Sequence, residues 1–434
     1  MAKLGIIGSG YVGLVTAAGL AKNQDHALYV CDANEERVKK LKQGIAPIKE
    51  PGLSELLFAH NVSFFGPEEF VQLKLDVIFI CVGTPSNIDG SVDVSQVFVT
   101  CDKYREVAPT IIIRSTVPAG TTRKVRASLE LSYPAVTPMV VHHPEFLQQG
   151  TAIQDFTEGN RSPVFGVVDN GDILKVWEIA SSLYPLPSMI MQAEASELSK
   201  YLNNAFLATK ISFANQAARL CKQAGCDYAF IKQVLADDPR IGGAFLDPGM
   251  GYGGSCLGKD TLGLSAYSPS NLPLLKATMD INEEIKGNLV KELISIINST
   301  NSSLNQPTLV VDGVTFKDGT DDIRNSVIAR VLKTVIADTG ANVLFVDALA
   351  DDDKLTDFFF PLHDFVDIVE DFYEAMGLVG YMDIVGMVLS KSTASLGAVD
   401  FARSLEEGTP ILDCRPTPEK RIMFEGLNII PFVG

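Results

Sequence analysis

Leu4-Gly5-Ile6-Ile7-Gly8-Ser9-Gly10-Tyr11-Val12-Gly13 decides how the first part of the chain is read. The apolar run predicts a buried strand and the glycines a tight turn. Val12, Val15, Thr16, Gly19 and Leu20 then recur at helical spacing. A second apolar run, Ala27 to Cys31, ends at Asp32, at the distance after the glycines where a carboxylate grips the adenosine ribose. Strand, turn, helix and acid together predict a dinucleotide site, with Gly8, Gly10 and Gly13 admitting the pyrophosphate to the helix N-terminus. Asp32 favours NAD over NADP because its charge repels a 2'-phosphate. Arg37, in a helix expected over Glu35 to Gln43, reads equally as a phosphate contact, an adenine neighbour or a solvated side chain.

Working outward, Val77 to Val82, Thr110 to Arg114 and Met139 to His142 read as further buried parallel strands. Gly83-Thr84-Pro85, Ser115-Thr116-Val117-Pro118 and His143-Pro144-Glu145-Phe146-Leu147 follow their C-terminal ends, where open α/β sheets take ligands. Any one of them is explained as a turn or cap; three along one edge point to a ligand. A second α/β half is predicted from strands at Thr308 to Asp312, Val343 to Val346, Ile384 to Leu389 and Ile411 to Leu412, with a helix over Ser326 to Asp338. It lacks the glycine turn. Ala350 to Asp371, dense in Asp and Phe, reads as a peripheral insertion or acidic face. The expected fold class is α/β, two Rossmann-like doubly wound domains joined by a long central helix. The divisions fall at residues 1–195, 196–300 and 301–434, the middle one carrying the dimerisation surface.

That helix is predicted from Glu194 to about Ala224, with Leu198, Leu202, Ala205, Phe206, Thr209 and Phe213 on an apolar stripe. Lys200 and Asn204, one turn apart, are either a partly buried pair able to stabilise an oxyanion or a solvated pair. Downstream, Gly251-Tyr252-Gly253-Gly254-Ser255-Cys256-Leu257-Gly258-Lys259-Asp260 delivers one cysteine. If a helix begins near Ser255, its free N–H groups and Lys259 favour the thiolate, and Asp260 shares its face. Cys256 is thus a candidate nucleophile, the alternative being a small buried side chain in a Gly-rich turn. Arg240 reads as a surface arginine or a diphosphate contact.

Composition narrows the class. The 434 residues exceed one ordinary core, and 46% hydrophobic with 21% charged residues fits a soluble globular chain. No apolar run is long enough to cross a bilayer and no leader pattern precedes the first strand, so a cytoplasmic location is expected. Seven scattered cysteines fit reduced thiols, and neither they nor His142-His143 offer metal-ligand spacing. A formal charge of −17 argues against nucleic acid as a partner.

These blocks together resemble the UDP-glucose/GDP-mannose dehydrogenase family, from Met1 to about Arg415. The resemblance rests on Gly8 to Gly13, Glu50-Pro51-Gly52-Leu53, Gly83 to Pro85, Ser115 to Pro118, Pro144 to Leu147, Lys200 with Asn204, Gly251 to Asp260, and Phe316-Lys317 to Arg324. It implies a nucleophilic Cys256 surrounded by Lys200, Asn204, Asp260, Thr116 and Glu145. NAD would be held by Gly8, Gly10, Tyr11, Val12, Gly13, Asp32, Arg37, Thr84, Thr116 and Arg324. Substrate would be held by Glu145, Phe146, Leu147, Lys200, Asn204, Phe245, Gly253, Lys317 and Arg415, with Arg240 reaching in from the second subunit of a homodimer. The implied reaction is oxidation of a nucleotide sugar at C6, most similar to the UDP-glucose branch through Tyr252. The chain departs from the family pattern at His143, Gln149, Asn160, Gly258 and Asn325.

Overall fold

The computed structural model describes all residues except 1, 24, 60, 159–160, 269–271, 300–305, 321, 380 and 434. Its strands are β1 (Lys3–Ile7), β2 (Ala27–Cys31), β3 (Val62–Phe65), β4 (Val77–Ile80), β5 (Thr110–Ile113), β6 (Met139–His142), β7 (Val164–Val167) and β8 (Met189–Gln192), then β9 (Pro307–Asp312), β10 (Asn342–Val346), β11 (Val366–Val369), β12 (Asp383–Leu389), β13 (Ile411–Asp413) and β14 (Ile429–Pro431). The helices are α1 (Tyr11–Ala21), α2 (Glu35–Lys42), α3 (Leu53–Leu57), α4 (Pro67–Phe70), α5 (Ser95–Lys103), α6 (Thr121–Ser132), α7 (Ala152–Glu158), α8 (Ile173–Leu183), α9 (Ala193–Ala224), α10 (Tyr228–Asp237), α11 (Leu257–Tyr267) and α12 (Pro273–Ser299), followed by α13 (Val327–Thr339), α14 (Asp352–Phe359), α15 (Phe372–Leu378), α16 (Leu396–Ser404) and α17 (Pro418–Met423).

The first sheet has the order β3-β2-β1-β4-β5-β6-β7-β8. It is parallel except between β6 and β7. The second, β11-β10-β9-β12-β13-β14, is parallel throughout. Renumbered within its own unit, the second sheet is 3-2-1-4-5-6, the doubly wound order that the first sheet also contains. The inner strands of both sheets, such as β1, β4, β5, β9 and β12, bury both faces, which is why they read as continuous apolar runs. Leu4, Ile6 and Phe79 enter one core of the first unit while Ile7, Ile78 and Ile80 enter the other. Leu309 and Val311 are likewise separated from Val310 in the second unit.

Two compact units result: Met1–Asn203 with Leu262–Ser270, and Asn204–Thr261 with Asn271–Gly434. Both predicted α/β halves and the long helix are present. One expectation needs correction. The Ala350 to Asp371 stretch is not peripheral: α14 buries Leu355 and Phe359, and β11 pairs in register with β10. Two of its acids cap helices, Asp351 accepting from Lys354 N and Asp371 from Tyr373 N and Glu374 N, while Asp352, Asp353, Asp357, Asp364 and Asp367 are exposed, as an acidic face requires.

Along α9 the large members of the apolar stripe stay exposed in this chain, and Ala205 of that stripe is buried. Leu202, Phe206 and Phe213 are exposed, while Tyr201, Asn204, Ala205, Ala208 and Ser212 are buried. Apart from Tyr201 the buried side chains are small, which lets the neighbouring segments approach closely. Among the described residues no helix is long and apolar enough to cross a membrane.

Candidate active site

In the first unit Gly8 turns the chain with φ 100°, and a Cβ there would lie 2.5 Å from the Cys81 carbonyl oxygen. A Cβ on Gly13 would lie 1.8 Å from the Gly8 oxygen, so α1 packs against the turn only without one. Gly10 faces open space at the start of α1. At the end of β2, Asp32 Oδ2 accepts from Ser9 N at 2.7 Å and Ser9 Oγ at 2.6 Å, and Oδ1 from Asn34 N at 2.8 Å. Arg37 stands 3.5 Å away. Burial opposes the charge on Asp32, but these donors outweigh it and hold the carboxyl below its ordinary range.

This cradle fits a dinucleotide: open glycine backbone at a helix N-terminus and an ionised carboxylate at the second strand's end. Tyr11 donates to Glu50 Oε2 at 2.9 Å, and Glu50 also accepts from Gly150 N and Ala152 N, both at 2.8 Å. Glu50 thus ties the Gln149–Ala152 loop to the start of α1. Ser115 and Thr84 are buried at the same strand edge, Ser115 Oγ donating to Val82 O at 2.7 Å; Thr116 is half-buried.

Glu145 and Lys200 come together. Lys200 Nζ lies 2.9 Å from Glu145 Oε1, both side chains are buried, and Leu147 N donates to Glu145 Oε2 at 2.8 Å. Burial alone would raise the Glu145 pKa; the ammonium and the N–H outweigh it and keep the carboxylate ionised. The Phe146 ring centroid is 5.5 Å from Lys200 Nζ. His142 and His143 are buried structural groups. His143 stacks on Phe165 at 4.1 Å and bonds Val164 O and the Tyr184 hydroxyl, both at 2.7 Å, while burial pushes His142 down to about 3. No group of three or more His, Cys, Asp or Glu suited to a metal occurs among the described residues.

In the second unit the cysteine loop is clamped from two sides. Asn282 of α12 accepts from Tyr252 N at 2.8 Å and donates to Tyr252 O at 3.1 Å. Gly254, at φ 76°, donates to Asn325 O at 3.1 Å, and a Cβ there would strike the Phe316 ring. The loop ends at Cys256, which is exposed directly before α11. Asp260, in the first turn of α11 and 1% exposed, accepts from Asn204 Nδ2 at 2.6 Å and lies 2.9 Å from Lys259 Nζ. Its N–H donates to Cys256 O at 2.8 Å, so helix, thiol and carboxylate share one turn.

The predicted arginines stand differently. Arg324 and Arg240 each grip the aspartate two residues back, Asp322 and Asp238. Arg240 is 87% exposed. Arg415 donates to Phe316 O at 3.4 Å, beside Lys317, whose carbonyl accepts from Thr320 Oγ1 at 2.8 Å. Phe245 has φ 62° and Asn325 φ 53°, the two non-glycine left-handed residues among those described. Gly253 packs against Asn325, and Gly258 faces open space. Asn160 lies outside the described residues.

Sequence reasoning missed Lys420. It is 1% exposed and donates to Asp413 Oδ1 at 2.7 Å, Lys391 O at 2.6 Å and Arg415 O at 3.1 Å, fixing the turn that carries Arg415. It also missed Asn282 and Glu197, the latter capping α6 through Gly120 N, Thr122 N and Thr122 Oγ1 at 2.6–2.7 Å.

A dinucleotide cradle in one doubly wound unit and an exposed thiol at a helix start in another define a two-domain, nucleotide-dependent dehydrogenase. Residues 2–185 match the model of the UDP-glucose/GDP-mannose dehydrogenase family NAD-binding domain, and residues 194–284 its central domain. A putative UDP-glucose 6-dehydrogenase of Bacillus subtilis is 36% identical over 352 residues, 79% of this chain and 80% of the relative. A UDP-glucose 6-dehydrogenase of Rhizobium meliloti is 35% identical over 80% of this chain and 81% of its own length. The structure of a UDP-glucose dehydrogenase from Pyrobaculum islandicum superposes with a TM-score of 0.83 at 28% identity, covering 99% of this chain and 97% of that one. The chain belongs to the UDP-glucose/GDP-mannose dehydrogenase family, and its cofactor is NAD.

Proposed function

We propose that this chain oxidises the C6 alcohol of UDP-glucose to the carboxylate of UDP-glucuronate in two successive two-electron steps. The carrying observation is Cys256, an exposed thiol at the start of α11 with buried Asp260 one turn on. A thiolate there is favoured by the start of the helix, with Lys259 paired to Asp260 at 2.9 Å. NAD supplies the hydride acceptor for both oxidations, two equivalents per sugar. In the first step the hydroxyl proton leaves to water held by Asp260. The thiolate then adds to the C6 aldehyde, forming a C–S bond and an alkoxide, a carbon that again bears oxygen and a transferable hydrogen. Lys200 and Asn204 donate to the developing oxyanions, an effect commonly worth about 3 kcal/mol per donor. Loss of the second hydride leaves a thioester, and water guided by Glu145 or Thr116 cleaves it to the acid and the free thiol.

Substrate anchoring is assigned to Phe146, Leu147, Phe245, Gly253, Lys317 and Arg415. The cofactor's ribose and phosphates are assigned to Asp32, Arg37, Thr84 and Arg324. Arg240, 87% exposed in one chain, is assigned to a partner's substrate in a homodimer. That dimer would cover Leu202, Phe206, Phe213 and Leu220, which lie along one side of α9 and are each more than half exposed. The three-part division, with residues 196–300 as the dimerising and catalytic middle, is part of the same proposal.

NADH absorbance measured against sugar loss, with a carbonyl trap present and a panel of UDP and GDP sugars, tests it. Two NADH per UDP-glucose and no trapped aldehyde are expected. One NADH with stoichiometric aldehyde overturns the covalent route; turnover of GDP-mannose alone reassigns the sugar.

A further inference from the structure

Two of the seven cysteines are exposed, Cys226 and Cys256. Cys256 is the thiol of the proposed reaction, which makes no use of Cys226. Cys226 stands just past the end of α9, where the chain leaves the helix through a left-handed glycine. Gly225, at φ 72°, donates to Lys222 O at 3.2 Å, and Cys226 N donates to Cys221 O at 2.9 Å. These two bonds form the paired closure of a helix C-terminus, in which the residue after the glycine meets, side chain to side chain, the residue five positions before it. Here both of those residues are cysteines.

The backbone sets their separation. With standard bond lengths, an N–H to carbonyl bond between two residues keeps their Cα atoms within about 7 Å, a span that a disulfide bridges. Cys221 is 7% exposed and packs with Ala214, Ala218 and Tyr228, with Val433 alongside. Burial raises its pKa and hydrogen bonding to the Cys226 thiol raises it further, so the two thiols are neighbours. The pair is asymmetric, one thiol open to solvent and one covered. An exposed thiol meets an incoming disulfide; a covered one is placed to attack from within. Cys226 also lines a cavity of about 910 Å³, a volume typical of small-molecule pockets, whose wall includes Lys222, Tyr228, Phe230, Pro418 and Val433.

We propose that Cys221 and Cys226 form a thiol–disulfide exchange site for a small organic disulfide. The Cys226 thiolate attacks one sulfur of R–S–S–R, forming a mixed disulfide and releasing R–SH, with the Cys226 proton passing to the leaving sulfur. Cys221 then attacks the Cys226 sulfur and expels the second R–SH, which takes the Cys221 proton. The two cysteines lose two electrons and R–S–S–R gains them, so no other reactant is needed. Closure ties the last turn of α9 to the residue before Asp227, the cap of α10. The site requires no assumption about the sugar substrate or the Cys256 chemistry.

The test exposes the reduced full chain to oxidised glutathione, blocks the remaining thiols with iodoacetamide and maps tryptic peptides by mass spectrometry. Cleavage after Arg219, Lys222 and Lys232 puts the two cysteines on different peptides, so the closed form reads as 220–222 joined to 223–232, and reaction at Cys256 reads separately. The joined pair should be the main oxidised product at these two positions and should disappear with dithiothreitol. C221S should stop at glutathione on Cys226, with at least tenfold more of that adduct than the wild type. C226S, at an exposed position, should keep the wild-type melting temperature while Cys221 is oxidised at least tenfold more slowly. A wild type that stops at the Cys226 adduct, a cross-link from Cys226 to Cys256 in place of Cys221, or a C226S chain whose Cys221 takes up glutathione at the wild-type rate would each overturn the proposal.

Discussion

β1 and β9 begin the same construction twice. After β1, Gly8 at φ 100° donates to Cys31 O at 2.8 Å, and Ser9 N donates to Asp32 Oδ2 at 2.7 Å. After β9, Gly313 at φ 87° donates to Val346 O at 3.1 Å, and Val314 N donates to Asp347 Oδ2 at 3.0 Å. Strand, left-handed glycine and an acid at the end of the second strand recur residue for residue. The two chains of residues then diverge. α1 begins three residues past Gly8 with Gly10 in open space, whereas the segment after Gly313 runs to Val327 before α13 starts. Over Gly313 lies Lys391, whose ammonium sits 3.6 Å from Asp312 and 3.9 Å from Asp347. Both acids have a cation near them, Arg37 beside Asp32 and Lys391 beside Asp347; what separates the two turns is that the first presents a helix N-terminus at once and leaves its glycine uncovered.

The largest expected effect separates chemistry from the cradle. Cys256→Ala should abolish acid formation while NAD affinity, measured by titration, stays within twofold, because the thiol belongs to the other unit. The loss should far exceed tenfold, or about 1.4 kcal/mol. A variant keeping a tenth of the wild-type acid output would remove Cys256 from the covalent role.

Gly8→Ala and Gly313→Ala test the repeated turn. Both carry left-handed strain of roughly 1–2 kcal/mol. At Gly8 the new Cβ meets backbone at 2.5 Å, whereas at Gly313 it meets the Lys391 side chain, which can swing away. NAD binding should therefore fall at least tenfold for Gly8→Ala and change less than twofold for Gly313→Ala. Equal losses would mean that the two turns are not used differently.

Asp32→Asn and Asp347→Asn sharpen the same contrast. The first should raise the ratio of kcat/KM for NADP over NAD severalfold, since the repelling charge is gone. The second should leave it unchanged. The Asp32 pKa is lowered on folding, so its stabilisation is present above the ordinary carboxylate value and fades as pH falls through the lowered one. The NAD preference should accordingly be flat from pH 6 to 9.

Much of this architecture was legible because parallel strands buried on both faces must be apolar throughout, and the glycine turn with Asp32 admits few other readings. β11 escaped notice: Val366-Asp367-Ile368-Val369 is an edge strand inside an acidic stretch, where only part of one face is buried. On α9 periodicity gave the helix and its apolar stripe; of that stripe this chain buries Ala205 and leaves Leu202, Phe206 and Phe213 exposed. The candidate site residues were read from their types and spacing, and of them the structure brings together Glu145 with Lys200, and Asn204 with Asp260. Lys420 was not legible, since a lysine in Glu419-Lys420-Arg421 reads as solvated until three acceptors close around it.

The smallest effect concerns the position that most distinguishes the two first strands. β1 ends in Ile7 and β9 in Asp312, both buried. Burial pushes the Asp312 carboxyl up to about 6, although Lys391 and Lys420 pull the other way. An acid whose pKa rises on folding is held more easily when protonated. Relative to the unfolded chain it is therefore neutral to stability below pH about 4, destabilising as pH rises toward 6, and fully so above. Asp312→Asn keeps the shape and removes the titration. Its melting temperature should exceed that of the wild type at pH 8, with the gain shrinking through pH 6 and vanishing near pH 4. A variant less stable than wild type at pH 8 would mean that attraction to Lys391 outweighs desolvation, and that the second strand edge is held together by the charges that close it to a dinucleotide.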